Sequence, residues 1–193
     1  MQHILFDTDG VIVHSDMWSL EYARRSGISS EYMRPFFTGV FQECILGRAD
    51  LKSEIESFLP QWRYTGGADQ YLSEWFHYEH HLDMDLIEKI QKIRKSWIQC
   101  HVATNQEKYR LEYLRKDMKF GEYFDSIFCS CEIGRRKPQC EFYEYILKSL
   151  NITDPSNVLY FDDSEENILV AKNLGIDAVL YKAISDLENA FLK

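Results

Sequence analysis

The 193-residue chain lacks any long apolar run. No stretch of roughly 18 apolar residues occurs, so no spanning helix is expected. The start lacks the basic segment and apolar region of a secretory leader, and a cytoplasmic setting is the expectation. Basic blocks are also missing. The 22 Lys and Arg residues are outnumbered by 31 Asp and Glu, for a net charge of -9. That balance argues against nucleic acid or an anionic membrane as a principal partner. Cysteine is present only as an odd set of five, at 44, 100, 129, 131 and 140, without a CxxC pair. An odd set is no disulfide framework, and a reducing environment follows. Cys129 and Cys131 have no second pair to complete a metal site, so packing is their expected role.

What the chain does contain is ample apolar material. Hydrophobic residues make up 45% of it, enough for one domain with an insertion or two small domains. The most informative stretch is His3-Ile4-Leu5-Phe6-Asp7-Thr8-Asp9-Gly10. A short apolar run closed by a turn signal reads as a buried strand of a parallel sheet. Asp7 and Asp9, two apart, are expected to emerge together at its carboxyl end, where open α/β sheets bind ligands. One carboxylate can attack while its neighbour handles a proton. Asp and Gly are also ordinary turn residues.

Two later segments repeat the pattern of a strand followed by polar residues, and a third polar segment precedes a helix. Val158–Phe161 leads to Asp162-Asp163, with Asn167 downstream. Here Asp163 could serve as an N-cap with Glu166 as its capping-box partner, which leaves Asp162 without a job. Ile98–Ala103 leads to Thr104-Asn105, where Thr104 and Glu107 could form a capping box. Gly134-Arg135-Arg136-Lys137-Pro138 puts a proline at the expected first turn of a helix. From residue 98 onward the spacing predicts strands at 98–103, 126–130, 157–161 and 177–181, with helices near 106–117, 139–150, 164–173 and 184–191. Strands alternating with helices imply βαβ units and a parallel α/β sheet, which strand 3–6 must join. Residues 16 to about 81 carry no convincing strand and read as a helical insertion, while Asp83–Trp97 reads as an amphipathic helix with apolar positions at 86, 87, 90, 93 and 97.

The order of these pieces resembles the haloacid dehalogenase-like hydrolase superfamily, a group of mostly magnesium-dependent phosphatases. Its DxDG motif matches Asp7-Thr8-Asp9-Gly10, its strand-closing Thr or Ser matches Thr104, its lysine before proline matches Lys137-Pro138, and its acid pair matches Asp162-Asp163. The resemblance implies a three-layer Rossmann-like core at 1–15 and 82–193, with an inserted all-α cap at 16–81. It implies that Asp7 attacks phosphorus and that Asp9 is the acid and base. Asp7, the carbonyl of Asp9, Asp162 and Asp163 would surround Mg²⁺, with Asp162 direct or one step removed. Thr104, Asn105, the amides starting the next helix, and Lys137 would hold phosphate. A hard cation also suits the charge. Four crowded carboxylates repel and shift upward in pKa, and oxygen ligands with room for water favour Mg²⁺.

The expected activity is hydrolysis of a small phosphorylated metabolite through an aspartyl-phosphate. A sugar-phosphate mutase and a non-catalytic module on the same fold are the alternatives. Dehalogenation is disfavoured, because a halide needs no proton and Asp9 with a second acid pair would be superfluous. His14 stands where capped relatives commonly have an acid. Arg48, after Gly47, is the cap residue expected to face substrate, and the cluster His77, His80, His81 is expected on a solvated face or an interdomain seam. Nothing in the sequence sets the oligomeric state, and a monomer is compatible with it.

Overall fold

A computed structural model describes residues 2–191. Five parallel strands, β1 (His3–Phe6), β2 (Gln99–Thr104), β3 (Ser126–Cys129), β4 (Val158–Asp162) and β5 (Asp177–Leu180), form one sheet in the order β3-β2-β1-β4-β5. The first strand is therefore central, and the order reverses beside it. His3 aligns with Gln99 on one side and Val158 on the other, and Phe6 aligns with Val102 and Phe161. Side chains alternate in direction along a strand. Ile4, Phe6, Leu159 and Phe161 accordingly face one layer, and Leu5, Val158 and Tyr160 face the other. Both faces are buried, which is why these strands read as continuous apolar runs.

Five α-helices lie within residues 16–81: α1 (Trp18–Ser26), α2 (Arg34–Thr38), α3 (Val40–Ile45), α4 (Leu51–Glu56) and α5 (Ala68–Tyr78). Among the described residues, positions 16–81 contribute no strand. They bury their own cluster around Trp62, Tyr71 and Phe36. The Tyr22 hydroxyl donates to the Trp62 carbonyl at 2.9 Å and the Trp62 indole donates to the Tyr32 carbonyl at 3.2 Å, which satisfies polar atoms inside this aromatic packing. The chain leaves and returns through adjacent segments. The His14 amide donates to the His81 carbonyl, and the Asp83 amide to the Ile12 carbonyl, each at 2.9 Å.

The remaining helices flank the sheet. On one face lie α6 (Met84–Arg94), α7 (Lys108–Lys116), α8 (Phe120–Tyr123) and, after an intervening α9 (Ser130–Ile133), α10 (Cys140–Ser149) and α11 (Glu165–Asn173) on the other; α12 (Ile184–Ala190) returns to the first face. The result is the three-layer, Rossmann-like α/β arrangement that the alternating pattern implies. Burying a side chain such as Phe6 or Ile4 stabilises it by roughly 1.5–3 kcal/mol each, and Phe6 and Ile4 are fully buried.

Local details depart from the sequence expectations. Helix α6 is capped by Asp83 and ends at Arg94, so Trp97 is not on its apolar face but 95% exposed with φ at 64°. Ser164, not Asp163, caps α11. Glu107 itself caps α7, accepting from the Tyr109 and Arg110 amides, so Thr104 forms no capping box. Pro138 precedes the N-cap Gln139 of α10 and is not in its first turn. All five cysteines are free thiols.

Candidate active site

Side-chain parity and register explain why the acids meet. Leu5 pairs with Tyr160, so Asp7 and Asp162, each two residues on, leave the same face at the carboxyl edge of adjacent strands. The Asp7 amide donates to the Phe161 carbonyl at 2.9 Å and extends the pairing to this point. Lys137, from the loop before α10, reaches the same spot. Its ammonium lies 2.7 Å from Asp7 Oδ1 and 2.7 Å from Asp162 Oδ2. Burial pulls the Lys137 ammonium down, but the two carboxylates outweigh it and hold its pKa above the usual lysine value.

Beyond Asp7 the backbone turns sharply. The Thr8 carbonyl accepts from the amides of Val11, Ile12 and Val13, at 3.3, 2.9 and 2.8 Å. Gly10 makes this turn with φ at +84°, and a Cβ there would lie 2.1 Å from Asp163 Oδ2. Glycine is therefore required both by conformation and by the closeness of Asp163. Asp9, in the same turn, is exposed. Its carboxylate accepts from the Gln106 amide at 2.6 Å.

The two acids after β4 have different surroundings. Asp162 is fully buried. Its Oδ1 accepts from the Ser164 backbone amide at 2.8 Å and from Asn167 Nδ2 at 2.9 Å; its Oδ2 accepts from Lys137, from the Tyr160 hydroxyl and from Asn167 Nδ2. Burial pushes its pKa up, yet Lys137, Tyr160 and Asn167 outweigh that and hold it below the usual carboxylate value. Asp163 is solvent-exposed as a residue, but its carboxyl is partly shielded by the surrounding turn, and that shielding, then the charge of Asp162, raises its pKa. Asp7 is pushed up to about 8, first by burial and against the pull of Lys137, with Asp162 and Asp9 adding to the rise.

Among the described residues, Asp7, Asp162 and Asp163 form the single group of three potential metal ligands, with one oxygen of each within 4.8 Å of the others. All donors are hard oxygens, and two of the carboxyls carry raised pKa values, so a small hard cation fits the set. Asp162 has its oxygens committed to protein donors, which leaves Asp7 and Asp163 as the side chains with capacity to spare. The Asp9 side chain stands outside the group.

The remaining expected residues fall into two sets. Thr104 is buried at the end of β2 and its hydroxyl has no protein partner. Asn105 spends its side chain on the Lys137 backbone, donating to its carbonyl at 3.0 Å and accepting from its amide at 2.9 Å. It holds the lysine loop in place instead of presenting its amide to an anion. The Tyr109 and Arg110 amides in the first turn of α7 are likewise taken by the Glu107 side chain. Burial pushes Glu107 up to about 7. Arg48 is exposed, pairs with Glu43 at 3.5 Å, and does not line the cleft beside Asp9. Arg34 and Gln42 line that cleft instead. His80 bonds the Tyr113 hydroxyl at 2.8 Å and His77 the Ser73 carbonyl at 2.7 Å, whereas His14 lies 3.6 Å from Asp83. Two residues were missed in the sequence: Gln106, whose contact with Asp9 spans 97 positions, and Tyr160, although its place two residues before Asp162 on β4 puts both on one face.

The geometry has counterparts among known proteins. Residues 4–181 match the family model of haloacid dehalogenase-like hydrolase. The chain belongs to this family. It is similar to a D-ribitol-5-phosphate phosphatase of Bacteroides thetaiotaomicron, 25% identical over 92% of this chain and 90% of that protein. It is also similar to a phosphorylated carbohydrates phosphatase of Thermotoga maritima, 23% identical over 93% of this chain and 84% of that one. Among solved structures, a family enzyme of Bacteroides thetaiotaomicron in complex with magnesium superposes with a TM-score of 0.84 at 22% identity, covering 100% of this chain and 99% of that one. At that identity the likeness establishes the shared fold.

Proposed function

We propose that this protein is a magnesium-dependent phosphatase acting on a small phosphorylated metabolite. The observation that carries the reading is Lys137 held 2.7 Å from both Asp7 and Asp162, beside the unsaturated Asp163. Relatives that act on ribitol-5-phosphate and on phosphorylated carbohydrates support it.

Asp7 accepts bonds from Lys137 and from the Thr8 amide on Oδ1, which leaves Oδ2 to attack phosphorus. A bond forms from Asp7 to phosphorus as the ester bond to the leaving oxygen breaks. Asp9, steadied by Gln106, gives that oxygen its proton. Asp9 then takes a proton from water as water attacks the aspartyl-phosphate, releasing phosphate and restoring Asp7. Lys137 and the Thr104 hydroxyl stabilise charge on the phosphoryl oxygens. Asp7, Asp163 and the Asp9 carbonyl would hold Mg²⁺, and Asp162 acts by fixing Lys137. When bound, the cation neutralises charge on phosphate and nucleophile. Residues 16–81 serve as the cap over this edge, with 1–15 and 82–193 as the catalytic core.

The test is inorganic phosphate release from a panel of sugar and polyol phosphates, with Mg²⁺ and with excess chelator, for wild type and Asp7→Asn. Phosphate release that needs both Mg²⁺ and Asp7 supports the reading. Turnover that survives chelation or the loss of Asp7 refutes it. Product transfer to a second sugar phosphate without phosphate release would assign a mutase.

A further inference from the structure

A cavity of about 680 Å³ opens from Asp9, Gly10 and Asp163 toward residues 16–81. Its two walls differ in chemistry. The core wall is polar, with Asn105 and Gln106 beside Asp9. The helical wall carries Phe37, Phe41 and Trp75. These rings pack on one another, with centroids 5.3 Å apart for Phe37 and Phe41 and 5.7 Å for Phe41 and Trp75. All three are only half-buried. Met17 and Leu20, on the same cavity, are 65% and 53% exposed. Exposed apolar side chains grouped in a cleft that runs into a reactive site mark a surface meant to be covered.

We infer, resting on the phosphatase reading, that the leaving group of the substrate carries a flat aromatic ring system, joined to the phosphate by a short polar tether, and that this ring stacks against the Phe37, Phe41 and Trp75 wall. A bare polyol does not satisfy that wall. Its hydroxyls lose water there without gaining hydrogen-bond partners. A ring gains contact area and offset or edge-on aromatic geometry. The volume is that of a site for a drug-sized ligand, larger than a five-carbon polyol needs. Charge narrows the class further. Asp16, Glu31 and Glu79 line the cavity with Arg34 as the one cation, and Arg34 is already paired with Glu31 at 3.4 Å. A second phosphate on the leaving group would meet net negative charge, so the substrate is a single monoester with an uncharged ring.

Two esters isolate the ring. Flavin mononucleotide and D-ribitol-5-phosphate share the primary alcohol, the ribityl tether and the phosphate; one carries a flat tricyclic ring and the other does not. With Mg²⁺ present, kcat/KM for the ring-bearing ester is expected to be at least tenfold higher, mainly through KM. Phe41→Ala is expected to cut that ratio by about tenfold. Leu20→Ala, a truncation of an exposed side chain that lines the same cavity, probes the site without risk to folding and should lower the ratio at least threefold. Equal kcat/KM for both esters in the wild type overturns the inference while leaving the phosphatase reading intact. A preference for a long-chain alkyl phosphate over flavin mononucleotide also overturns it, since that assigns the wall to a chain. If neither ester turns over, quenching of riboflavin fluorescence by the protein decides. Saturable quenching that weakens in Leu20→Ala upholds the ring site, and no quenching overturns it. Loss of turnover with every phosphate ester tested counts against the phosphatase reading alone.

Discussion

Gly10→Ala separates two costs that coincide at one atom. Alanine at φ +84° is strained whatever surrounds it, and the left-handed region costs a non-glycine residue roughly 1–2 kcal/mol. The second cost is local. The new methyl would sit 2.1 Å from Asp163 Oδ2 and 2.6 Å from its Cγ. Asp163 must retreat by nearly an ångström, and because it is exposed it can do so with little further loss of stability. Its retreat moves a candidate metal ligand. Gly27→Ala provides the control, with φ at +67° and nothing within 4 Å of the added methyl. Both variants should lose about 1–2 kcal/mol. For a chain of this size that lowers Tm by about 2–8 °C. Only Gly10→Ala should also raise the Mg²⁺ concentration needed for half-maximal phosphate release, by about tenfold, an effect of about 1.4 kcal/mol. Thermal unfolding and a magnesium titration of activity measure the two effects. A Gly10→Ala protein with unchanged Tm and unchanged magnesium midpoint refutes the tight turn and the place of Asp163 together.

Other outcomes follow from the same geometry. Asp9→Asn should slow hydrolysis of an alkyl phosphate by about 10²–10⁴-fold and of an activated aryl phosphate much less; equal losses on both in steady-state assays would remove the proton-transfer role. Lys137→Met leaves Asp7 and Asp162 buried without their cation, and breaking a buried pair costs about 3–5 kcal/mol, readable by urea unfolding. Mg²⁺ should restore part of that loss. His101, buried beside His3 and held down to about 4, first by burial, binds protons more readily once unfolded. Stability from this group is present above the usual histidine value and falls as pH drops from about 6.5 to about 4, by up to about 3 kcal/mol. Glu107, pushed up to about 7, acts in the opposite sense. Its contribution is full below about 4.5 and is lost as pH rises through 7. Stability curves of His101→Gln and Glu107→Gln, each subtracted from wild type, should therefore slope in opposite directions across pH 4.5–6.5.

Much of this was legible in the sequence because it depends on period and local chemistry. The apolar run before Asp7 and the one before Asp162 are buried on both faces, and such strands announce themselves. Parity then carries Asp7 and Asp162 to one face without knowledge of the rest of the fold. What escaped is what folding decides. Gln106 meets Asp9 across 97 positions and Asn105 meets Lys137 across 32. No spacing rule reaches that far. Thr104 and Glu107 matched a capping box, but the strand extends through Thr104, and Glu107 caps the helix alone. Trp97 fitted the apolar stripe of α6, yet the chain leaves the helix at Arg94 before the stripe reaches it. Arg48 was read from its neighbour Gly47, whereas its own i-5 partner Glu43 draws it aside.

The central strand has a consequence for synthesis. β1 leaves the ribosome well before its neighbours in the sheet, which begin only at Gln99 and Val158. The helices at 16–78 need no such wait, since Trp18, Phe36, Trp62 and Tyr71 find one another within that segment. Long-range parallel pairing is slow compared with local helical contacts. The helical segment is therefore complete before the sheet edge that brings Asp7 and Asp162 together. Until β4 emerges, the nascent chain carries Ile4, Leu5 and Phe6 with one edge of their strand unpaired. An arrest during translation between residues 130 and 157 would expose a sticky strand attached to an already folded helical unit, the species on which a chaperone has most to do.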